Sequence, residues 1–460
     1  MSSGRCNEIG TASRRGPTAE CVPMETLITR GLVTRDIFPT KMSSSFYLVF
    51  IAIGLHVTGH CFPGTQNEGK GNEVNHSPAR NSTLYKMSTS NADFAFNLYR
   101  KLTSENTGKN VFFSPVSVSS ALAMMSLGAR SDTQTQILEC LGFNLTEMQE
   151  EEIHQGFHHL LHTLNLPNKE LELKTGNALF IQKQVKILTK FTTDVQKLYE
   201  SEAFSTDFSN VSAAEQKINN YVKKKTKGKI VDLIKDLEPN TFMILVNFIF
   251  FKAKWEKPFD PLETKQNGNF YMSQSDVIKV SFMHKTEEHF YFVDRILNCT
   301  VLQMDYSKNA LAIFVLPDEG QMKSLEDTLM STTLRRWNHL LQKGLVNLYV
   351  PKFFISASYN LNTILPGMGI QDAFTNQADF SGISEHYKLM ISNVVHKSVL
   401  EVGEKGTEAA AVTEIRMEFR SASVNPGTLI VLNRPFLVMI LDKATRSILF
   451  LGKVMEPMEK

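Results

Sequence analysis

Three clusters in this 460-residue chain bring together side chains that could do chemistry. "HQGFHHLLH" sets His154, His158 and His162 at i, i+4 and i+8, along one helix face. That spacing suits zinc. No cysteine or second carboxylate group follows at metal spacing, so a solvated helix face is the preferred reading and no metal is expected. "KKKTKGK" gathers Lys223, Lys224, Lys225, Lys227 and Lys229. It reads as a site for heparin-like polyanions or as a helix end whose cations complement the dipole, and the helix end is preferred. The third cluster places Leu334, Asn338 and Leu341 at i, i+4 and i+7 with Arg335 alongside. A polar amide within an apolar stripe suits a small amphipathic ligand; it also suits a helix docked on a sheet with Asn338 at a wet edge, which is the residue-level preference. The chain has no GxSxG elbow, HExxH, P-loop or GxGxxG after a strand. An enzyme is not expected, nor is a cofactor.

A fourth segment is patterned without being reactive. From Thr407, one alternate set is Thr407, Ala409, Ala411, Thr413, Ile415, Met417 and Phe419, all uncharged. The other is Glu408, Ala410, Val412, Glu414, Arg416, Glu418 and Arg420, mostly charged. Successive side chains of a strand point to opposite faces, so 407–420 is patterned as a half-buried strand. Its small inward residues at the start, through Ala411, would let it slip between strands already paired.

The elements that must position these residues follow from periodicity. Helices are expected over Thr83–Leu102, within 110–129 after a Ser-Pro start, over 132–164 and over 213–236. A further helix over 327–344 is expected to stop at Gly344. Strands are expected at 242–255, 310–317, 345–356 and 396–404, with a hairpin over 434–454 turning near Lys443 and Ala444. Helices first and strands later read as one large α+β domain over 83–460.

The front of the chain is different. Residues 1–41 are polar and aperiodic, and the apolar run Phe46–Val57 after Met42 is too short to span a bilayer. Residues 42–61 read as a signal peptide cut after Cys61, with 1–41 an upstream extension and 62–82 a flexible mature terminus. Residues 1–61 hold six Lys/Arg and four Asp/Glu, which leaves 43 of each in the body. A neutral body argues against nucleic acid as partner. Asn81, Asn144, Asn210 and Asn298 head glycosylation sequons. Cys140 and Cys299 alone remain in the body and define no disulfide framework.

Four stretches carry a resemblance: "VHKSVLEVGEKGTEAAAVT", "FFSPVSVSSALAMMSLGA", "VNFIFFKAKWEKPFD" and "RPFLVMILDKATRSILFLGKV". Together they resemble the serpins from about Thr83 to the end. The resemblance implies three β-sheets, eight or nine helices and a mobile reactive loop that inserts into the central sheet. Gly406, Thr407, Glu408, Ala409, Ala410, Ala411 and Thr413 would form the hinge of that loop. Arg420–Ser421 would be its scissile bond, which suits a trypsin-like protease. "NSTLYKM" (81–87), "NADFAFNLYRKL" (91–102), "LNCTVLQMDYSKNALAIFVLPDEGQM" (297–322) and "RRWNHLLQKG" (335–344) are similar to the thyroid-hormone-carrying, non-inhibitory branch of the family. That likeness implies a secreted plasma monomer, off the membrane, that binds thyroxine and related iodothyronines and meets proteases at its loop. Its site would comprise Ser88, Leu311, Leu334, Arg335, Asn338, Leu341, Lys443 and Arg446. Lys443 stands where the carriers' pattern has Arg, and Arg335 where it has Lys. Thr413 stands where it has Pro, whose missing N–H would obstruct insertion. Protease inhibition therefore stays open as the alternative.

Overall fold

The computed structural model describes residues 78–166, 171–407 and 427–458. Helix α1 (Pro78–Glu105) leads to β1 (Val111–Phe113) and α2 (Pro115–Ser126). The Ser-Pro start works as expected. The Ser114 hydroxyl accepts from the Ser117 amide at 3.3 Å, and Pro115 takes the first turn, where no donor is missed. All of α2 is buried, and its inner serines donate back to carbonyls three residues earlier, as Ser120 does to Ser117 at 2.8 Å.

The helix expected over 132–164 is two helices, α3 (Ser131–Cys140) and α4 (Glu150–Asn165). Gly142 breaks the run at φ +78, a conformation suited to glycine. The Glu152 carboxylate then accepts from the Gln149 amide at 3.2 Å and starts α4. Next come β2 (Leu171–Gln182), α5 (Thr189–Tyr199), β3 (Glu202–Thr206) and α6 (Val211–Lys225). α6 ends about ten residues before the expected 236, because Lys227 and Gly228 both take positive φ.

Strands follow: β4 (Met243–Lys254), β5 (Lys265–Tyr271), β6 (Val277–Asp294), β7 (Cys299–Asp305) and β8 (Ala310–Pro317). The single helix expected over 327–344 is α7 (Met322–Thr328) and α8 (Ser331–Leu340). Asp93 of α1 starts α8 afresh by accepting from the Ser331 amide at 2.9 Å and hydroxyl at 3.0 Å. Gly344 does not stop a helix; it lies in β9 (Gln342–Pro351), opposite His289. The chain closes with β10 (Phe353–Asn360), β11 (Asn393–Gly403), β12 (Gly406–Thr407), β13 (Thr428–Val431), β14 (Phe436–Asp442) and β15 (Ile448–Val454).

Among the described residues the strands form two hydrogen-bonded networks. One is six-stranded, ordered β10-β11-β12-β4-β2-β3. The other has nine strands, because the eighteen-residue β6 pairs with β5 and β9 along most of its length and with β7 at its end. Two of the three expected leaves are thus joined through β6. α6 lies on the six-stranded sheet and buries Ala214, Ile218 and Val222 with Ile244, Val246 and Phe248. The opposite face carries a polar seam. The His396 Nε2 accepts from the Ser114 amide at 3.0 Å, and Nδ1–H donates to Asn247 Oδ1 at 2.5 Å. Burial pushes the His396 pKa down to about 3.

Candidate ligand site between α1, α8 and the β14–β15 hairpin

α8 is held at its margins by polar anchors. Asp294, at the end of β6, is buried and accepts from Trp337 Nε1 at 2.8 Å, from both Arg336 terminal nitrogens and from the Ile296 and Leu297 amides at 3.0 and 3.2 Å. Burial alone would raise its pKa. The Arg336 and Trp337 hydrogen bonds outweigh that and hold the carboxyl below its ordinary value. Trp337 is fully buried, whereas Leu340 is exposed. The neighbouring stripe is less filled. Leu334 is half-buried and Asn338 exposed. Leu341 is half-buried and lies just past the helix, its amide donating to Trp337 O at 2.9 Å. It therefore follows the helix instead of riding on it, as the 327–344 reading had required.

Asp305, Leu311 and Leu441 lie in one row across β7, β8 and β14, with Gln303, Ile313 and Met439 in a parallel row. Strand alternation puts both rows on one face. Lys443 reaches Asp305 at 2.6 Å, and Gln303 Nε2 donates to the same carboxylate at 3.2 Å. The turn after β14 is built by Asp442, which accepts from the Thr445 amide at 2.7 Å and hydroxyl at 2.8 Å. Arg446 sits in it at φ +58.

α1 closes the ring of contacts. The Ser88 hydroxyl donates to Arg446 O at 3.0 Å, and Tyr85, one turn earlier, accepts from Arg335 Nη1 at 2.6 Å. The eight sequence-derived residues thus lie on elements in direct contact. Leu311, Leu334, Leu341 and Leu441 offer half-buried apolar surface. Arg335, Lys443 and Arg446 are exposed cations, with Ser88 and Asn338 the neutral polar groups. This set suits a flat apolar molecule that ends in a carboxylate. Sequence reasoning missed Tyr85, Asp294, Gln303, Asp305 and Asn309, whose carbonyl accepts from the Lys443 amide at 2.6 Å. None carries a local signal; Tyr85, Asp294, Asp305 and Asn309 are defined by partners on other elements, and Gln303 by its bond to Asp305 on the same strand. An adjoining cavity of about 210 Å³ is lined by Gln303, Asp305, Lys285 and His289.

The hinge is described only at its first residues. Gly406 and Thr407 form β12 and are buried between β11 and β4. Gly406 is at φ +130, and a side chain there would meet Ala253 O at 2.2 Å. Thr407 shares a 3.1 Å hydrogen bond with Tyr306, which stacks on Trp255 with centroids 4.3 Å apart. Glu408, Ala409, Ala410, Ala411, Thr413, Arg420 and Ser421 lie outside the described residues, as do the side chain of Asn81 and all of 1–77. Asn144, Asn210 and Asn298 are exposed.

The histidine cluster is not a solvated face throughout. His154 is buried and shares a 2.6 Å hydrogen bond between Nδ1 and the Tyr199 hydroxyl, because the α4 stripe packs on α5. Among the described residues no group of three His, Cys, Asp or Glu could hold a metal ion. Cys140 and Cys299 are free thiols that burial pushes up to about 12. No helix among the described residues is long and apolar enough to cross a membrane.

Comparison with known proteins adds four findings. The family model described as serpin (serine protease inhibitor) matches residues 89–457. Human thyroxine-binding globulin is 56% identical over 418 residues, which cover 91% of this chain and all of the relative. A solved thyroxine-binding globulin in complex with thyroxine is 57% identical, with a TM-score of 0.77, covering 82% of this chain and 100% of that one. The reactive-loop-cleaved human protein is 59% identical at a TM-score of 0.69, covering 71% of this chain and 96% of that one.

Proposed function

We propose that this chain, which belongs to the serpin family, is a non-inhibitory carrier that binds and transports thyroxine and related iodothyronines in plasma. It is not an enzyme. The observation that carries the reading is the ring of contacts from Arg335 to Tyr85, Ser88 to Arg446 and Lys443 to Asp305 around half-buried leucines. The leucines take the iodinated rings, Asn338 takes a polar end, and Lys443 and Arg446 face the carboxylate. Arg335 adds a planar cation at the rim.

Loop insertion modulates affinity through contacts already in place. β12 would lengthen from Thr407, which is bonded to Tyr306. Tyr306 follows Asp305, whose carbonyl accepts from the Glu256 amide at 2.9 Å and whose side chain holds Lys443. Insertion therefore disturbs the strand end that positions a ligand cation, and the two loop states differ in affinity. The chain is read as secreted after loss of 42–61, with 1–41 an upstream extension, and as glycosylated at Asn81, Asn144, Asn210 and Asn298. The exposure of the last three supports the glycan reading.

Equilibrium dialysis with labelled thyroxine tests the carrier reading: saturable binding that weakens in Asn338→Ala is expected, and no saturable binding refutes it. Cleavage at Arg420–Ser421 should lower affinity; unchanged affinity after complete cleavage refutes the coupling. Thr413, where a proline would block insertion, favours a second reading as inhibitor of a trypsin-like protease. A denaturant-stable complex with trypsin on gels would establish that reading.

A further inference from the structure

β5 carries the one Asn-Gly pair in the chain, Asn267-Gly268, and two separate structural demands put it there. Lys265 faces Phe282 and Gly268 faces Val280, so β5 takes three steps where β6 takes two. The extra residue makes a bulge. Asn267 turns through it at φ +58, a left-handed conformation that asparagine tolerates better than most side chains. Gly268 has a different cause. A Cβ there would meet the Phe282 ring at 2.4 Å, so the ring as packed leaves no room for a side chain. Among the described residues β5 pairs with β6 and with no other strand. The pair therefore lies at an edge, with Asn267 exposed. Two residues on, Asn269 is held at both ends of its amide. Its Oδ1 accepts from Lys279 Nζ at 2.6 Å, and its Nδ2 donates to the Tyr271 hydroxyl at 3.3 Å. The Asn267 side chain has no such partner among the described residues.

We propose that Asn267 is a self-modification site, at which the Gly268 main-chain nitrogen attacks the Asn267 side-chain amide and converts it to aspartate and isoaspartate. The nitrogen gives its proton to water and bonds to Cγ. The Cγ–Nδ2 bond breaks, and Nδ2 takes a proton from water and leaves as ammonia. A five-membered succinimide remains, and a second water opens it; nothing is oxidised or reduced. Breaking the new N–Cγ bond gives aspartate. Breaking the original peptide bond gives isoaspartate, whose main chain runs through Cγ and is longer by one carbon. Either product adds a negative charge to an edge that carries Lys265 and Lys279. Three features of β5 favour the reaction. Glycine leaves its own nitrogen unshielded. The bulge takes Asn267 out of the regular ladder that would hold its backbone. Exposure admits the water that the step consumes. The inference is independent of hormone carriage.

The test is incubation of the full, glycosylated protein at physiological pH and temperature, read by mass spectrometry and by methyl labelling with an isoaspartyl carboxyl methyltransferase. Fragment ions of the tryptic peptide 266–279 separate Asn267 from Asn269. Asn267 should convert at least about tenfold faster than Asn269. Conversion in the folded protein should run within about tenfold of that in the isolated synthetic peptide 266–279. Asn267→Gln keeps an exposed amide but would have to close a six-membered ring, and should lose most of the methyl label. Asn269→Gln should keep it. An unshifted melting temperature checks the fold of both variants. A label that survives Asn267→Gln, equal rates at the two asparagines, or a folded-state rate below the tenfold window overturns the proposal.

Discussion

α6 and α8 are each laid against a sheet, and they are seated in opposite ways. α6 sits down on apolar residues: Ala214, Ile218 and Val222 vanish into a sealed core with Ile244, Val246 and Phe248. α8 is propped: Asp93 holds its start, Asp294 holds its flank through Trp337 and Arg336, and Leu334 and Leu341 remain only half-buried. A helix seated by its apolar stripe leaves no room beneath it. Polar anchors at its edges can fix a helix while part of its apolar stripe stays available to a ligand.

The largest test of this contrast is the prop itself. Asp294→Ala leaves Arg336 and the Trp337 N–H without their shared acceptor, and should cost about 3 kcal/mol of stability. Hormone affinity should fall with it, read by calorimetry and dialysis; an unchanged affinity would mean that α8 does not shape the site. In α6, Ile218→Ala should cost stability on a similar scale, about 2–4 kcal/mol, through the cavity it leaves. Its hormone affinity should stay at the wild-type value, so a joint loss would erase the distinction between the two helices.

Acid should separate sheet from prop. His396, at about 3, and His289, at about 4, are held neutral by burial, below the ordinary 6.5. The unfolded chain takes up those protons first. Stability should therefore decline as pH falls from about 6.5, by up to about 1.4 kcal/mol per unit for each histidine, until its folded pKa is reached. The contribution of Asp294 has the depressed-carboxylate sign: it is complete above the ordinary 3.8 and lost as pH falls through the lower folded value. His396→Gln should flatten the slope of melting temperature against pH between 6.5 and 4; an unaltered slope would contradict the assignment. Smallest in energy is Asn338→Ala, an exposed site: roughly a fivefold loss of thyroxine affinity, about 1 kcal/mol, with an unshifted melting temperature.

Legibility in the sequence tracked the range of the cause. β4 and β8 were expected at 242–255 and 310–317 and are found at Met243–Lys254 and Ala310–Pro317. Their run of bulky residues is itself the reason they form. The hairpin at 434–454 was legible for the same reason. Breaks were harder. The split of 327–344 depends on Asp93, 238 residues before Ser331, and no window around 329 contains it. His154 read as solvated because its partner Tyr199 lies 45 residues on.

The sequence by itself determined strands as bulky as β4 and β8, the alternation over 407–420, and the family to which the quoted stretches belong, because these rest on neighbours within a few residues. The tertiary structure alone decided what meets what: Ser88 on the Arg446 carbonyl, Lys443 on Asp305, Asp294 beneath α8, Lys227 over Glu172. Such pairs join elements far apart in the chain. Their energies are set by distance and burial, and neither exists until the sheets have closed.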